Sequence, residues 1–234
     1  MNYRFVLLDV DGTILDFNAC EAQAFKRAFE QFGFHWTEEI YHRYHEINAM
    51  VWEIHERGEK TREEILILRF ELLFKEYGID GDPVAFEDRY RSNLADYAFF
   101  EPGAEAFLQK LKDSSAKSYI VTNGVLETQV KRLEMSGIND YVDGVFISEE
   151  IGWQKPTIQY FNHCFAQIPG FCREKAIIVG DSLSADIQGG INAGITTCWY
   201  NPLGKPDRGM KIDYEVKTPA EVWDILTGAE SVEC

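Results

Sequence analysis

A change of hydrophobic period along the chain restricts its fold more than any other feature. Residues 3–9 (YRFVLLD) form a short apolar run ending in an acid, and four more runs follow far downstream: Ser118–Thr122, Val142–Ser148, Ala176–Asp181 and Ile195–Tyr200. Runs this short, β-branched and nearly continuous suit strands buried on both faces. Helical patterns lie between them, over about 103–112, 125–136, 156–168 and 184–193. Strand and helix in alternation imply right-handed βαβ units and a doubly wound parallel sheet, an α/β fold of Rossmann-like character.

Residues 17–98 break that rhythm. Helix follows helix here: Glu21–Phe32, Thr37–Glu56, Thr61–Tyr77 and Pro83–Asp96. Thr61 with Glu64 three residues on has the spacing of a capping box, and Gly33, Gly58 and Gly78 punctuate the helix ends. The segment is expected to be an all-helical insert of domain size, leaving the core after the first strand and returning through Phe99–Gly103. The core is then 1–16 plus 99–234.

The charge balance narrows the partners. Lysines and arginines number 23 against 39 acids, a net charge of −16, and such a field repels nucleic-acid phosphates and anionic membranes. It does not exclude a small anion held by local groups beside a divalent cation. Cys20, Cys164, Cys172, Cys198 and Cys234 are odd in number and contain no CxxC pair, which points to reduced thiols rather than a disulfide frame or a zinc site. The first apolar run stops at Asp9, too short for a signal peptide, and no stretch approaches the roughly 20 apolar residues of a membrane span. A soluble, cytoplasmic protein is expected.

Chemistry concentrates where strands end. In an open parallel sheet, ligands bind beyond the carboxyl ends of the strands. Asp9-Val10-Asp11-Gly12-Thr13 puts two acids at the first such end. One carboxylate can attack an electrophile while its neighbour moves protons, although an Asp-Gly turn in solvent has the same composition. Thr122-Asn123-Gly124 follows another strand, and a hydroxyl with fresh main-chain N–H groups suits an anion as well as an ordinary helix cap. Lys155 before Pro156 can neutralise an oxyanion or simply lie on the surface. Gly180-Asp181-Ser182-Leu183-Ser184-Ala185-Asp186 again ends a strand in acid, with a second acid on the next turn. Asp9 and Asp181 supply the oxygen ligands that magnesium takes, while an N-capping role accounts for Asp181 equally. Taken together, the successive strand ends carry a nucleophile, a proton shuttle, anion stabilisers and metal ligands.

This set of motifs resembles the haloacid dehalogenase-like (HAD) hydrolase superfamily over essentially the whole chain. DVDGT at 9–13 is similar to the first family motif, Thr122 to the second, Lys155 within GWQKP to the third and GDSLSAD at 180–186 to the fourth. The helical insert resembles the family's first-type cap domain. The resemblance implies a fold, a HAD-like core with an inserted helical cap, and a set of roles. Asp9 is then the nucleophile that forms an aspartyl-phosphate, and Asp11 protonates the leaving group and later activates water. Thr122 and Lys155 bind the phosphoryl group, with main-chain N–H contacts from Asn123 and Gly124. Asp9, the main-chain carbonyl of Asp11, and Asp181 hold Mg2+. Asp186 acts behind them, through a water or by orienting Lys155. An acid at position 11 favours a phosphatase or phosphomutase over a dehalogenase, because a halide leaves without a proton.

The stretch from Asp186 to Ile195, leading to Thr197-Cys198-Trp199-Tyr200-Asn201-Pro202, is similar to the pyrimidine 5′-nucleotidase branch. That likeness implies a nucleoside monophosphate as substrate. A sugar phosphate, phosphoglycolate or a mutase reaction are the alternatives, and a HAD-like binding module without turnover is a third. An insert that covers the crevice would exclude water and select small esters. Trp36, Tyr41, Tyr44 and Trp52 offer rings on which a base can stack, yet Tyr41, Tyr44, Asn48 and Trp52 also have the spacing of a packed helix face. His42, His45 and His55 do not have the spacing of a zinc set and are expected to be surface or packing residues.

Overall fold

The computed structural model describes residues 1–228, so Cys234 lies outside the described residues. The chain divides into two compact units, Asn18–Ala98 and Met1–Phe17 with Phe99 onward.

The first of these units is helical: α1 (Phe17–Phe32), α2 (Glu38–Glu56), α3 (Arg62–Tyr77) and α4 (Pro83–Leu94). Thr37 and Asp82 cap α2 and α4, and Thr61 and Glu64 close the capping box that opens α3. α1 begins at Phe17 rather than at Glu21. Its buried face, Cys20, Glu21, Ala24, Phe25, Ala28 and Phe29, recurs at intervals of three and four, so the periodic pattern starts a turn before the expected boundary.

Aromatic rings fill this unit. Tyr44 stacks between Phe25 and Phe70, with centroids 4.5 and 5.2 Å away, and is fully buried. Packing therefore accounts for Tyr44. His55 is buried and bonds the Lys60 carbonyl oxygen at 2.9 Å. A polar chain threads the same interior: the Glu21 carboxylate accepts from Asn48, Asn48 accepts from Arg69, and Arg69 pairs with Glu87 at 2.6 Å.

The other unit is a sheet sandwiched by helices. Strands β1 (Phe5–Leu8), β2 (Lys117–Thr122), β3 (Gly144–Ile147), β4 (Ala176–Gly180), β5 (Thr196–Tyr200) and β6 (Tyr214–Val216) pair in parallel in the order β3-β2-β1-β4-β5-β6. Helices α5 (Ala104–Lys112), α6 (Leu126–Ser136), α7 (Ser148–Ile151), α8 (Ile158–Gln167), α9 (Gln188–Ala193) and α10 (Pro219–Thr227) connect or follow them. β1 lies between β2 and β4, and Phe5, Val6, Leu7 and Leu8 are wholly buried, as a central parallel strand covered on both faces requires. Phe5 and Leu7 face one layer with Tyr119, Val121 and Ile178, packed on Phe161, Cys164 and Phe165 of α8. β6 and α10 add an edge strand and a helix that the hydrophobic pattern did not suggest. Among the described residues, no helix is long and apolar enough to cross a membrane.

Candidate active site

The strand order brings three chemical strand ends side by side. Leu8 lies level with Ile120 of β2 and Val179 of β4, so the residues just beyond β1, β2 and β4 emerge at one edge. Asp9 and Asp181 leave β1 and β4 there, and Thr122 is the last residue of β2. This is the carboxyl edge at which ligands meet open α/β sheets.

Lys155 arrives from the loop between α7 and α8 and is 1% exposed. Its ammonium donates to Asp9 Oδ1 at 2.6 Å, Asp186 Oδ1 at 2.6 Å and the Val121 carbonyl at 2.8 Å. All three of its N–H bonds are thereby spent on acceptors, so Lys155 acts as a fixed positive charge. Burial pulls this ammonium toward the neutral form, but Asp186 and Asp9 outweigh burial and hold its pKa above the ordinary lysine value. Asn123 fixes the backbone beneath it: its side-chain amide donates to the Lys155 carbonyl oxygen and accepts from the Lys155 N–H, both at 2.9 Å.

The acids are less evenly matched. Burial raises the Asp9 pKa; Lys155 opposes that shift, and Asp186 and Asp181 add to it. Asp181 is pushed up to about 7, first by burial and next by Asp186, with Lys205 and Lys155 pulling the other way. Asp186, which is fully buried, has both oxygens engaged, one by Lys155 and the other by the Ser182 N–H at 3.1 Å. Ser182 in turn caps the π-helical turn Leu183–Ile187 by accepting from the Ala185 N–H. This wider turn carries Asp186 four residues beyond the cap, where its carboxylate reaches back to the cap N–H.

The same cluster tests whether a cation fits. Asp9, Asp181 and Asp186 each bring a carboxylate oxygen within 4.8 Å of the others. Three carboxylates against one ammonium leave negative charge uncompensated in a largely buried place. Neither oxygen of Asp181, nor Oδ2 of Asp9, takes a hydrogen bond from the described residues, whereas both oxygens of Asp186 do. An all-oxygen donor set of this kind suits a hard divalent ion such as magnesium. Gly12 leaves the room: its φ is +79°, and a Cβ there would lie 2.9 Å from the Asp181 carboxyl carbon.

Thr122 is 1% exposed, and its hydroxyl oxygen accepts from the Gly124 N–H at 3.0 Å and from Gln129 Nε2 at 2.9 Å. Both lone pairs are used, so the hydroxyl hydrogen is the group left to donate. The Gly124 N–H, expected to face an anion, is therefore engaged by Thr122.

Two residues that the sequence reading did not single out stand against Asp11. Arg132 Nη1 donates to Asp11 Oδ1 at 2.5 Å, and Gln129 Nε2 donates to Oδ2 at 2.9 Å. Arg132 also donates to Gln129 Oε1 at 3.0 Å. Both come from α6, three residues apart on one face, and each is 1% exposed. The available signal was a Gln and an Arg at helical spacing just after the Thr122-Asn123-Gly124 turn.

A sequence profile described as haloacid dehalogenase-like hydrolase matches residues 6–200. The HAD-hydrolase YfnB of Bacillus subtilis is 42% identical over 233 residues, 99% of both chains. Its crystal structure, described as bound to magnesium, aligns with a TM-score of 0.92 over 97% of this chain and 99% of that one. The pyrimidine 5′-nucleotidase PynA of Streptococcus pneumoniae is 38% identical over 202 residues, 86% of this chain and 85% of its own. The pyrimidine 5′-nucleotidase YjjG of Escherichia coli is 31% identical over 201 residues, 86% of this chain and 87% of its own.

Proposed function

Because the chain belongs to the haloacid dehalogenase-like hydrolases, we propose that it is a magnesium-dependent phosphomonoester hydrolase of the cytoplasm whose substrates are nucleoside 5′-monophosphates, pyrimidines preferred. The observation that carries the chemistry is the buried Lys155 ammonium bonded to both Asp9 and Asp186 beside an acid cluster. The nucleotide preference is supported by relatives named pyrimidine 5′-nucleotidases at 38% and 31% identity.

In this reading, an Asp9 oxygen forms the new bond to phosphorus as the bond to the ester oxygen breaks. Asp11 gives its proton to the departing alkoxide. Water then attacks the aspartyl-phosphate, its proton passes to Asp11, and the Asp9–phosphorus bond breaks to release inorganic phosphate. Thr122 donates its hydroxyl hydrogen to a phosphoryl oxygen. Lys155, with its donors engaged, orients Asp9 and supplies fixed positive charge, and Asp186 holds Lys155 in place. Asp9, the Asp11 main-chain carbonyl and Asp181 would hold Mg2+, whose charge offsets the repulsion between a carboxylate nucleophile and a phosphate dianion.

The test is phosphate release from nucleoside monophosphates, sugar phosphates and phosphoglycolate, before and after chelation and after magnesium is restored. Turnover of pyrimidine nucleotides that chelator abolishes and magnesium returns is expected. Failure on every nucleotide refutes the substrate, and full activity in chelator refutes the role of the metal.

A further inference from the structure

Helix α6 joins two groups that the proposed chemistry uses at different atoms. The two Nε2 hydrogens of Gln129 are divided between Asp11 Oδ2 and Thr122 Oγ1, each at 2.9 Å. Its Oε1 accepts from Arg132 Nη1, which also holds the other Asp11 oxygen. The Gln129 amide is therefore oriented without ambiguity, because a carboxylate and a cation demand opposite ends of it. Packing restricts the amide further: a Cβ on Gly124 would lie 2.6 Å from Gln129 Cδ. Asp11 itself is only half-buried, on a short turn where solvent alone would satisfy its carboxylate. An Arg and a Gln, each 1% exposed, are a costly way to hold such a group unless its position matters.

We infer that Gln129 and Arg132 are positioning residues that keep the Asp11 carboxylate in fixed register with the Thr122 hydroxyl, so that the proton-transfer group and the phosphoryl-binding group are aligned as one piece. The inference rests on the reading of Asp11 as the proton donor. Bidentate contact from two side chains of one helix fixes both the place and the plane of the carboxylate. Thr122, bonded to the same amide, is held at a set distance from it. General acid catalysis depends on that alignment, since a small displacement between donor and ester oxygen forfeits much of the gain.

The leaving group separates positioning from folding. A nucleoside monophosphate loses an alkoxide, which needs a proton as it departs. p-Nitrophenyl phosphate loses a phenolate that is stable at neutral pH. Because the later attack of water draws on Asp11 for both esters, the readout is the single-turnover rate of the first step, release of the alcohol or of p-nitrophenolate from enzyme in excess. In Arg132→Met and Gln129→Met that rate is expected to fall on the order of 10²-fold on the alkyl ester and less than about threefold on the aryl ester. Arg132→Lys, which keeps a cation and a donor, should recover part of the alkyl-ester rate. Equal losses on the two esters, or no loss on either, would overturn the inference.

A crystal structure of Gln129→Met provides a readout independent of turnover. The inference expects the Asp11 carboxylate to rotate out of line with Thr122, and it fails if both side chains keep their places. If the wild-type protein cleaves neither ester, the phosphatase reading fails, and the crystal structure still decides whether Gln129 sets the position of Asp11.

Discussion

Replacing Lys155 with Met removes a buried charge at nearly constant volume. The side chain is 1% exposed, and its loss strands the Asp9 and Asp186 carboxylates and the Val121 carbonyl. Breaking a buried pair by deleting one partner costs about 3–5 kcal/mol, and that is the loss expected at pH 7.5 in the metal-free protein. The cost should depend on pH, and its sign follows from the acids left behind. Asp9 lies above its ordinary value through burial and Asp181 sits at about 7, with Lys155 among the groups pulling each down. Without that ammonium both rise further. An acid whose folded pKa exceeds its unfolded value makes the folded state bind more protons, so stability grows as pH falls toward the unfolded value near 3.9. One extra proton bound across about two pH units is worth about 2–3 kcal/mol. Wild type already takes up a proton at Asp181 below about pH 7, so K155M should recover only part of that, on the order of 1 kcal/mol, relative to wild type between pH 7.5 and pH 5. Hydrogen exchange at the β1 and β4 amides, in chelator, reads the opening free energy of the sheet where the ammonium sits. A loss below about 1 kcal/mol at pH 7.5, or one that is the same at both pH values, would show that Lys155 does not neutralise these acids.

Magnesium and protons should compete at Asp181. With its pKa at about 7, affinity should climb with pH from 5 to 7 and level off above, with close to one proton released per ion at pH 6. Calorimetry in two buffers of different ionisation enthalpy measures this, and a pH-independent affinity contradicts the burial of that carboxylate. Asp9→Asn should reduce turnover to background while leaving circular dichroism unchanged and the metal-free thermal midpoint equal or higher, because it removes one of three crowded acids. Residual turnover above a few per cent would exclude Asp9 as nucleophile.

How much of this was legible depended on whether a rule of topology or a particular contact was at stake. Acids at the ends of the runs finishing at Asp9 and Asp181 could be assigned to one crevice because a parallel sheet gathers its carboxyl ends, whatever the side chains between. Lys155 was legible as a cation near that edge, and the family resemblance linked it to Asp186, but its bonds to Asp9 and to the Val121 carbonyl were not, since these acceptors come from the residue after β1 and from β2. Gln129 and Arg132 escaped notice for a simple reason. On an amphipathic helix, polar residues usually mark the solvent face, and the pair reads as surface until α6 is placed against Asp11. Asn123 was weighed for its main-chain N–H, whereas its side chain closes a reciprocal pair with a residue 32 positions away. The short edge strand Tyr214–Val216, with only Val216 buried, has too few alternations to carry a period.

The two places where the chain passes into and out of Asn18–Ala98 lie next to each other within the sheet unit. The Asp16 N–H bonds the Phe99 carbonyl oxygen at 2.8 Å, the Glu101 N–H bonds that of Ile14 at 2.9 Å, and Leu15 pairs antiparallel with Phe100. Topologically the 81-residue segment is thus an excursion from a narrow antiparallel neck, and a tight turn would span its base. Evolution, or a protein engineer, can graft a foreign segment at this neck, or shorten the one present, without rethreading any of the six strands.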